Sequence, residues 1–262
     1  MENKSKIEPI KLTSKSRFKF LCHKGIECFT KCCSGIDIVL TPFGIIRMKN
    51  RLNLSCDEFL LRYTTVEILG KTMLPVVRLV MKEDEDKSCP FLDNDGCSIY
   101  EDRPVACRYY PVGMGALRKQ GTGEEEDFYF LVKESHCLGF KESKKWSINE
   151  WREDQGIKPY TKANKDWMDI ILRKKSMDAK LELSEKSRQM FFMVSSNVDK
   201  LKSFIFESTF LKIHDVSEEV IKKISADETE LMKFGLKWLK GVLFGEDTVK
   251  IKDEAIEERK KR

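Results

Sequence analysis

The sequence predicts an α+β protein: an irregular, loop-rich cysteine-cluster domain with short helices and a small antiparallel sheet, followed by a helical C-terminal region. Three observations predict this. All nine cysteines fall between Cys22 and Cys137. The segment holding the second group of them, CPFLDNDGCSIYEDRPVACRYYPVG, is crowded with turn signals and prolines that no regular element tolerates. From about residue 147 onward, apolar residues recur at helical intervals. The 262 residues are ample for a hydrophobic core. They divide on this reading into a polar lead (1–19), the cysteine-cluster domain (20–145), a helical region (146–245) and a charged tail (246–262).

The elements follow in order. After the Lys-rich lead comes FLCHKGIECFTKCCSG, with Gly25 and Gly35 at turn positions. Thr41–Pro42 reads as a helix start, Thr as N-cap and Pro at the first helical position. Ser55 and Glu58 have capping-box spacing and open a second short helix through Phe59, Leu60 and Tyr63. Residues 66–69 and 73–81 are apolar and β-branched around Gly70–Lys71, which predicts a hairpin; Pro75 requires a sheet edge or a strand end. KEDEDKS is a solvated loop. Residues 118–127 form a glycine-rich charged loop before a strand-like FYFLVK. Beyond Cys137, capping-box spacings at Ser147/Glu150 and Ser225/Glu228 open helices. Their aromatic stripes (Phe204, Phe234, Trp238) are the packing faces of amphipathic helices. Residues 246–262 read as a frayed tail of mixed charge.

Charge narrows the function. Lys and Arg number 48 against 43 Asp and Glu, a net +5 spread evenly along the chain. A nucleic-acid binder concentrates its positive charge in a stripe or an arm, so nucleic acid is not an expected partner. No run of about 18 apolar residues is present, so no membrane span is expected. The first residues lack an apolar export core, which predicts a cytoplasmic protein. In that reducing compartment, dense cysteines point to metal ligands or redox chemistry before disulfides.

The spacings are C22-x5-C28-x3-C32-C33, C89-x7-C97-x9-C107 and, after 29 further residues, Cys137; Cys56 stands apart inside a predicted helix. No C-x2-C pair occurs, which disfavours zinc ribbons, RING sites and thioredoxin-type pairs. Neither ferredoxin spacing is present. C28-x3-C32 begins a radical S-adenosylmethionine run, but Gly35 stands where its third cysteine belongs. A site gathered from distant loops remains. Thiolates are the ligand form, and several together need compensating positive charge. Soft-ligand preference puts an iron–sulfur centre first, most readily a 4Fe-4S cluster, with zinc second and plain thiols or disulfides third. Arg103 and Arg108 are candidate cofactor-binding residues that neutralise sulfur, against ordinary ion pairs with Glu101 or Asp102. His23 and His136 neighbour cysteines and are alternative ligands, against solvent-facing roles. Gly113-x-Gly115 and Gly121-x-Gly123 read as turns in a loop rather than a nucleotide cradle. No catalytic constellation accompanies the cysteines.

The segments LTPFGIIRM and CPFLDNDGCSIYEDRPVACRYYP, with the Cys32–Cys33 pair, resemble the cysteine-cluster family described as a zinc- or iron-chelating domain. That family is sometimes grouped with flagellin lysine N-methylases. The resemblance covers about residues 20–140. It implies that Cys22, Cys28, Cys32, Cys33, Cys89, Cys97, Cys107 and Cys137 form the chelating set, with Cys56 left to the core. The family's first block reads C-x2-C-x2-C-C where this chain has C-x5-C-x3-C-C. The resemblance implies a metal-binding protein with a structural or redox centre. Its alternatives are a cluster-dependent lysine N-methyltransferase or a zinc-stapled scaffold, with a protein partner or substrate docking on the helical region.

Overall fold

The computed structural model describes residues 6–7, 10–118, 125–177 and 183–260. It divides into two compact units whose segments interleave along the chain. The first comprises Met1–Leu40, Tyr63–Thr65 and Arg78–Lys162; the second comprises Thr41–Arg62, Val66–Val77 and Ala163–Arg262. All eight cysteines of the implied chelating set belong to the first unit, and Cys56 to the second.

An aromatic core builds the first unit. Arg17–Lys19 pairs antiparallel with Lys145–Ser147, setting Phe18 opposite Trp146. Val112–Arg118 pairs antiparallel with Glu125–Lys133, and Lys6–Ile7 adds to the outer side of that second strand. Strand alternation turns Tyr129 and Leu131 inward to meet Phe18, Phe20, Tyr109, Ile148, Trp151 and Ile157. Helices Ile148–Asp154 and Ile157–Ala163 thus close the core of the cysteine-bearing unit. The rings pack edge-on: Phe20 lies 5.3 Å from Phe140 and 5.5 Å from Trp151 between centroids. The Trp151 indole N–H donates to the Tyr109 carbonyl at 3.0 Å and that of Trp146 to the Phe20 carbonyl at 2.8 Å. These bonds satisfy the polar ends of two rings that burial would otherwise penalise.

The expected glycine turns take another form. Gly113 and Gly115 lie within the strand Val112–Arg118, opposite Phe130 and Phe128. A Cβ on either glycine would come within 2.2 Å of the facing ring. These glycines therefore make room for aromatic rings laid over the backbone, and they are neither turns nor a cofactor cradle. Gly121-x-Gly123 lies outside the described residues.

The second unit is helical. Glu228–Phe244 packs against Pro42–Arg51, Lys165–Ser176, Glu185–Ser196 and Val198–Phe206, burying Leu231, Met232, Leu236 and Leu239. Gly235 permits the close approach, since a Cβ there would meet Leu201 at 2.6 Å. The Thr41 N-cap is as expected, its hydroxyl accepting from the Gly44 N–H, and the Ser55/Glu58 and Ser147/Glu150 capping boxes both form. The third expected box does not. Asp227 caps Glu228–Phe244, accepting from the N–H groups of Thr229 and Glu230, while Ser225 still belongs to the helix Glu218–Ala226. The reason is local: Asp227 has the extended backbone of an N-cap, whereas the Ser225 hydroxyl bonds back to the Lys222 carbonyl. Glu228 is thereby free to hold Lys49 at 2.6 Å, in a site where the lysine also meets Asp199 at 3.4 Å.

Leu74–Leu79 lies centrally in its sheet, between Val39–Leu40 and Thr64–Leu69, and Pro75 falls at the strand's start, one of the two positions its residue type allows. One further expectation changes. The charged tail forms a helix, Asp253–Lys260, anchored where Lys252 donates to the Ile213 carbonyl and Asp215 to that of Lys250. Acidic Asp253 and Glu254 suit its first turn. Among the described residues no helix is long and apolar enough to cross a membrane.

Candidate metal centre

Short backbone devices carry the cysteines. Thr30 takes a left-handed φ of 69° ahead of a single 3-10 turn, Lys31–Cys33, and Gly35 takes φ 62° after it. The chain then runs beside the second cysteine segment. The Cys89 N–H donates to the Cys33 carbonyl at 2.8 Å, and the Gly35 N–H to that of Lys87 at 3.0 Å. A bridge between Ser34 and Ser88 lies between these two bonds. Leu92–Asp93 folds back on Gly96–Cys97, with Leu92 opposite Cys97 and Gly96 at φ 119°. Cys107 rides on the short helix Val105–Tyr109. Cys137 closes a turn onto the Glu134 carbonyl, and the next residue, Leu138, donates its N–H to the Cys28 sulfur at 3.2 Å.

All nine cysteines are free thiols. Their mutual electrostatics sort the eight in this unit into two neighbourhoods. Burial, then Cys32, Cys28 and Cys137, pushes the Cys22 thiol up to about 11. Burial, then Cys89, Cys97 and Cys32, pushes the Cys107 thiol up to about 12. Burial also raises Cys89, which feels Cys97, and Cys137, which feels Cys28 and Cys32. Cys32 is common to both groups. It is raised first by its hydrogen bond with Cys33 and then by burial. One neighbourhood is thus Cys22, Cys28 and Cys137, the other Cys89, Cys97 and Cys107, and the Cys32–Cys33 pair joins them. As the side chains lie, no three His, Cys, Asp or Glu among the described residues form a group ready to hold a metal ion. The thiols of this unit influence one another electrostatically without closing a coordination shell among the described residues.

The predicted cations differ in placement. Arg103 is buried, and it lowers the pKa of both Cys97 and Cys107. It is fixed by stacking 3.7 Å over the Tyr100 ring and by donating to Gln155 Oε1 at 2.7 Å. Arg108 is equally buried, but its guanidinium donates to the carbonyls of Gln155 and Glu101 and lies 4.7 Å over the Tyr160 ring. His23 lies at the surface, its Nδ1 accepting from the Gly25 N–H and its Nε2 3.9 Å from Glu142. His136 Nε2 is 3.3 Å from the nearly buried carboxylate of Glu134. Cys56 is fully buried in the other unit, its thiol pushed up to about 12 by burial first.

Two residues escaped the sequence reading. Glu134 acts electrostatically on Cys32, and Tyr110 interacts with Cys137. The Tyr110 hydroxyl oxygen is buried and makes no well-formed hydrogen bond among the described residues. The C-R-Y-Y-P run placed Tyr110 near Cys107 in sequence; nothing in it pointed to Cys137.

Residues 21–138 match the family model CxxCxxCC, described as "Putative zinc- or iron-chelating domain". This segment belongs to that cysteine-cluster family. No curated protein and no solved structure matches the chain. The cysteine-cluster domain is a metal-binding one, and one feature of this structure fits it. Its donors are soft sulfurs, which suit zinc or iron.

Proposed function

We propose that the cysteine-cluster domain holds an iron–sulfur centre with a structural or electron-transfer role in a reducing cytoplasm. The observation that carries this is the meeting of two three-sulfur neighbourhoods at Cys32–Cys33. Eight thiols are twice what a mononuclear tetrahedral site uses, and a polynuclear centre makes use of sulfurs that a single zinc leaves over. When bound, such a centre supplies one-electron chemistry or a rigid cross-link between loops. The chain's own residues do the rest. The eight cysteines surrender their protons and bind, Arg103 offsets part of the accumulated negative charge near Cys97 and Cys107, and the aromatic core restricts water on one side.

The test is full-length protein produced and purified without oxygen, with iron supplied. Iron and acid-labile sulfide in comparable amounts, with broad visible absorption, are expected. Stoichiometric zinc without sulfide in a colourless protein would replace this reading by a zinc-stapled scaffold. Neither metal would refute both.

A further inference from the structure

We propose that the strand Thr64–Leu69 is a self-association edge, along which a second copy of this chain adds antiparallel about a two-fold axis through Val66. In its sheet the strand stands at the end of the order, with Leu74–Leu79 on one side and no strand on the other among the described residues. It lacks the residues that usually blunt such an edge: TTVEIL holds no proline and no lysine, and Glu67 is its single charge. Its inner neighbour is buried at Leu74, Val76 and Val77, whereas Val66 is 51% exposed and Ile68 46%. The apolar exposure continues along the chain in both directions. Leu61, on the helix Cys56–Tyr63, is 86% exposed, and Met73, held at φ 56° after the turn, is 39% exposed. Single exposed hydrophobics are ordinary; four within one helix–strand–turn segment beside an open edge mark an association surface.

The strand's own pattern selects the occupant. Backbone groups alternate in direction along a strand. The Tyr63 carbonyl accepts from the Val80 N–H at 2.8 Å and that of Leu69 from the Met73 N–H at 2.7 Å, so the odd-numbered residues turn their backbone groups toward the inner strand. Val66 and Ile68 therefore present theirs to the open side. A two-fold axis normal to the sheet keeps every side chain on its own face, so an even-numbered residue meets an even-numbered one in the other copy. Two registers lie at the strand's middle. With the axis through Val66, the two valines exchange both backbone hydrogen bonds and the Glu67 carboxylates stand off the axis. With the axis through Glu67, the two carboxylates face each other, which is destabilising, and the residue on the axis has no outward backbone group to pair. The strand thus matches its own copy at Val66: outward backbone meets outward backbone, valine meets valine, and like charges are kept apart.

The experiment is sedimentation velocity on full-length protein purified without oxygen, over a wide range of concentration. Wild type is expected to dimerise as concentration rises. Val66→Lys and Val66→Glu each set like charges across the axis and should raise the dimer dissociation constant about tenfold or more. An equal mixture of the two variants should recover a dimer, since opposite charges then meet. Ile10→Lys, at an exposed apolar position of the first unit, should dimerise like wild type. Val66 is half exposed, so its variants should keep the wild-type circular dichroism and metal content, and the metal reading is scored separately from this one. A wild type that stays monomeric at every concentration would overturn the proposal and leave the edge to a different protein. A dimer untouched by Val66→Lys, an equal loss in Ile10→Lys, or a mixture that stays monomeric would overturn it as well.

Discussion

Deleting one sulfur from each unit separates packing from metal binding. Cys107 and Cys56 are well matched as perturbations, because burial is the leading cause that pushes each thiol up to about 12. Truncation to alanine removes one sulfur atom from a packed site in either case. On the scale of large-to-small core changes this costs about 1–2 kcal/mol, or roughly 2–8 °C in melting temperature for a chain of this size. That loss should appear in both metal-free variants. The metal-loaded proteins should then diverge. Cys107→Ala lacks a member of the Cys89–Cys97–Cys107 neighbourhood and should lose metal, together with the stability that metal binding adds to folding. Cys56→Ala, whose backbone N–H is held by Asp199 at 2.7 Å among helices, should keep the wild-type metal content. Elemental analysis and calorimetry on loaded and metal-free samples read both effects. Full metal content in Cys107→Ala, or depleted metal in Cys56→Ala, would refute the assignment of the two sulfurs.

Other consequences are open to direct measurement. Gly113→Ala would drive a methyl to 2.2 Å from the Phe130 ring, and the strand or ring must shift at a cost of about 1–3 kcal/mol. Urea denaturation should show the loss, and pairing the change with Phe130→Ala should recover part of it; an unchanged midpoint in the single variant contradicts the ring-over-glycine packing. Asp227→Ala should destabilise by about 1 kcal/mol through loss of the helix cap, while Ser225→Ala should stay within roughly 0.5 kcal/mol of wild type. Reversed magnitudes would return the cap to Ser225. Metal retention should weaken on acidification. Thiols held up at about 11 and about 12 in Cys22 and Cys107 carry their protons throughout the neutral range, so binding must expel them. Each proton expelled lowers the apparent affinity about tenfold per pH unit of acidification. Chelator competition that gives the same affinity at pH 8 and pH 6 would mean that these thiols do not ligate.

Much of the local structure was legible because its causes are local. Thr41–Pro42, Ser55 with Glu58, and Ser147 with Glu150 open helices through contacts within one turn, and all three do so in the structure. Ser225 shows the limit: its spacing to Glu228 fits a capping box, yet a better cap two residues on took the role. Pro75 falls at a strand end, as its residue type allows, but that the strand is central rather than at an edge depends on a partner more than thirty residues away. The cysteine pattern pointed to the metal-chelating family whose model matches residues 21–138, because ligand chemistry and spacing are properties of the chain itself.

Sequence could name the sulfurs but not group them. Which thiols are neighbours depends on the pairing of residues 33–35 with 87–89 and on the turn that brings Leu138 to Cys28, and these are contacts between segments far apart in the chain. The same holds for the two arginines, alike in type and setting, of which only Arg103 acts on both Cys97 and Cys107 while Arg108 ties down backbone carbonyls. Residue identity sets what a side chain can do; the long-range packing of aromatic rings and loops decides which partner it does it with.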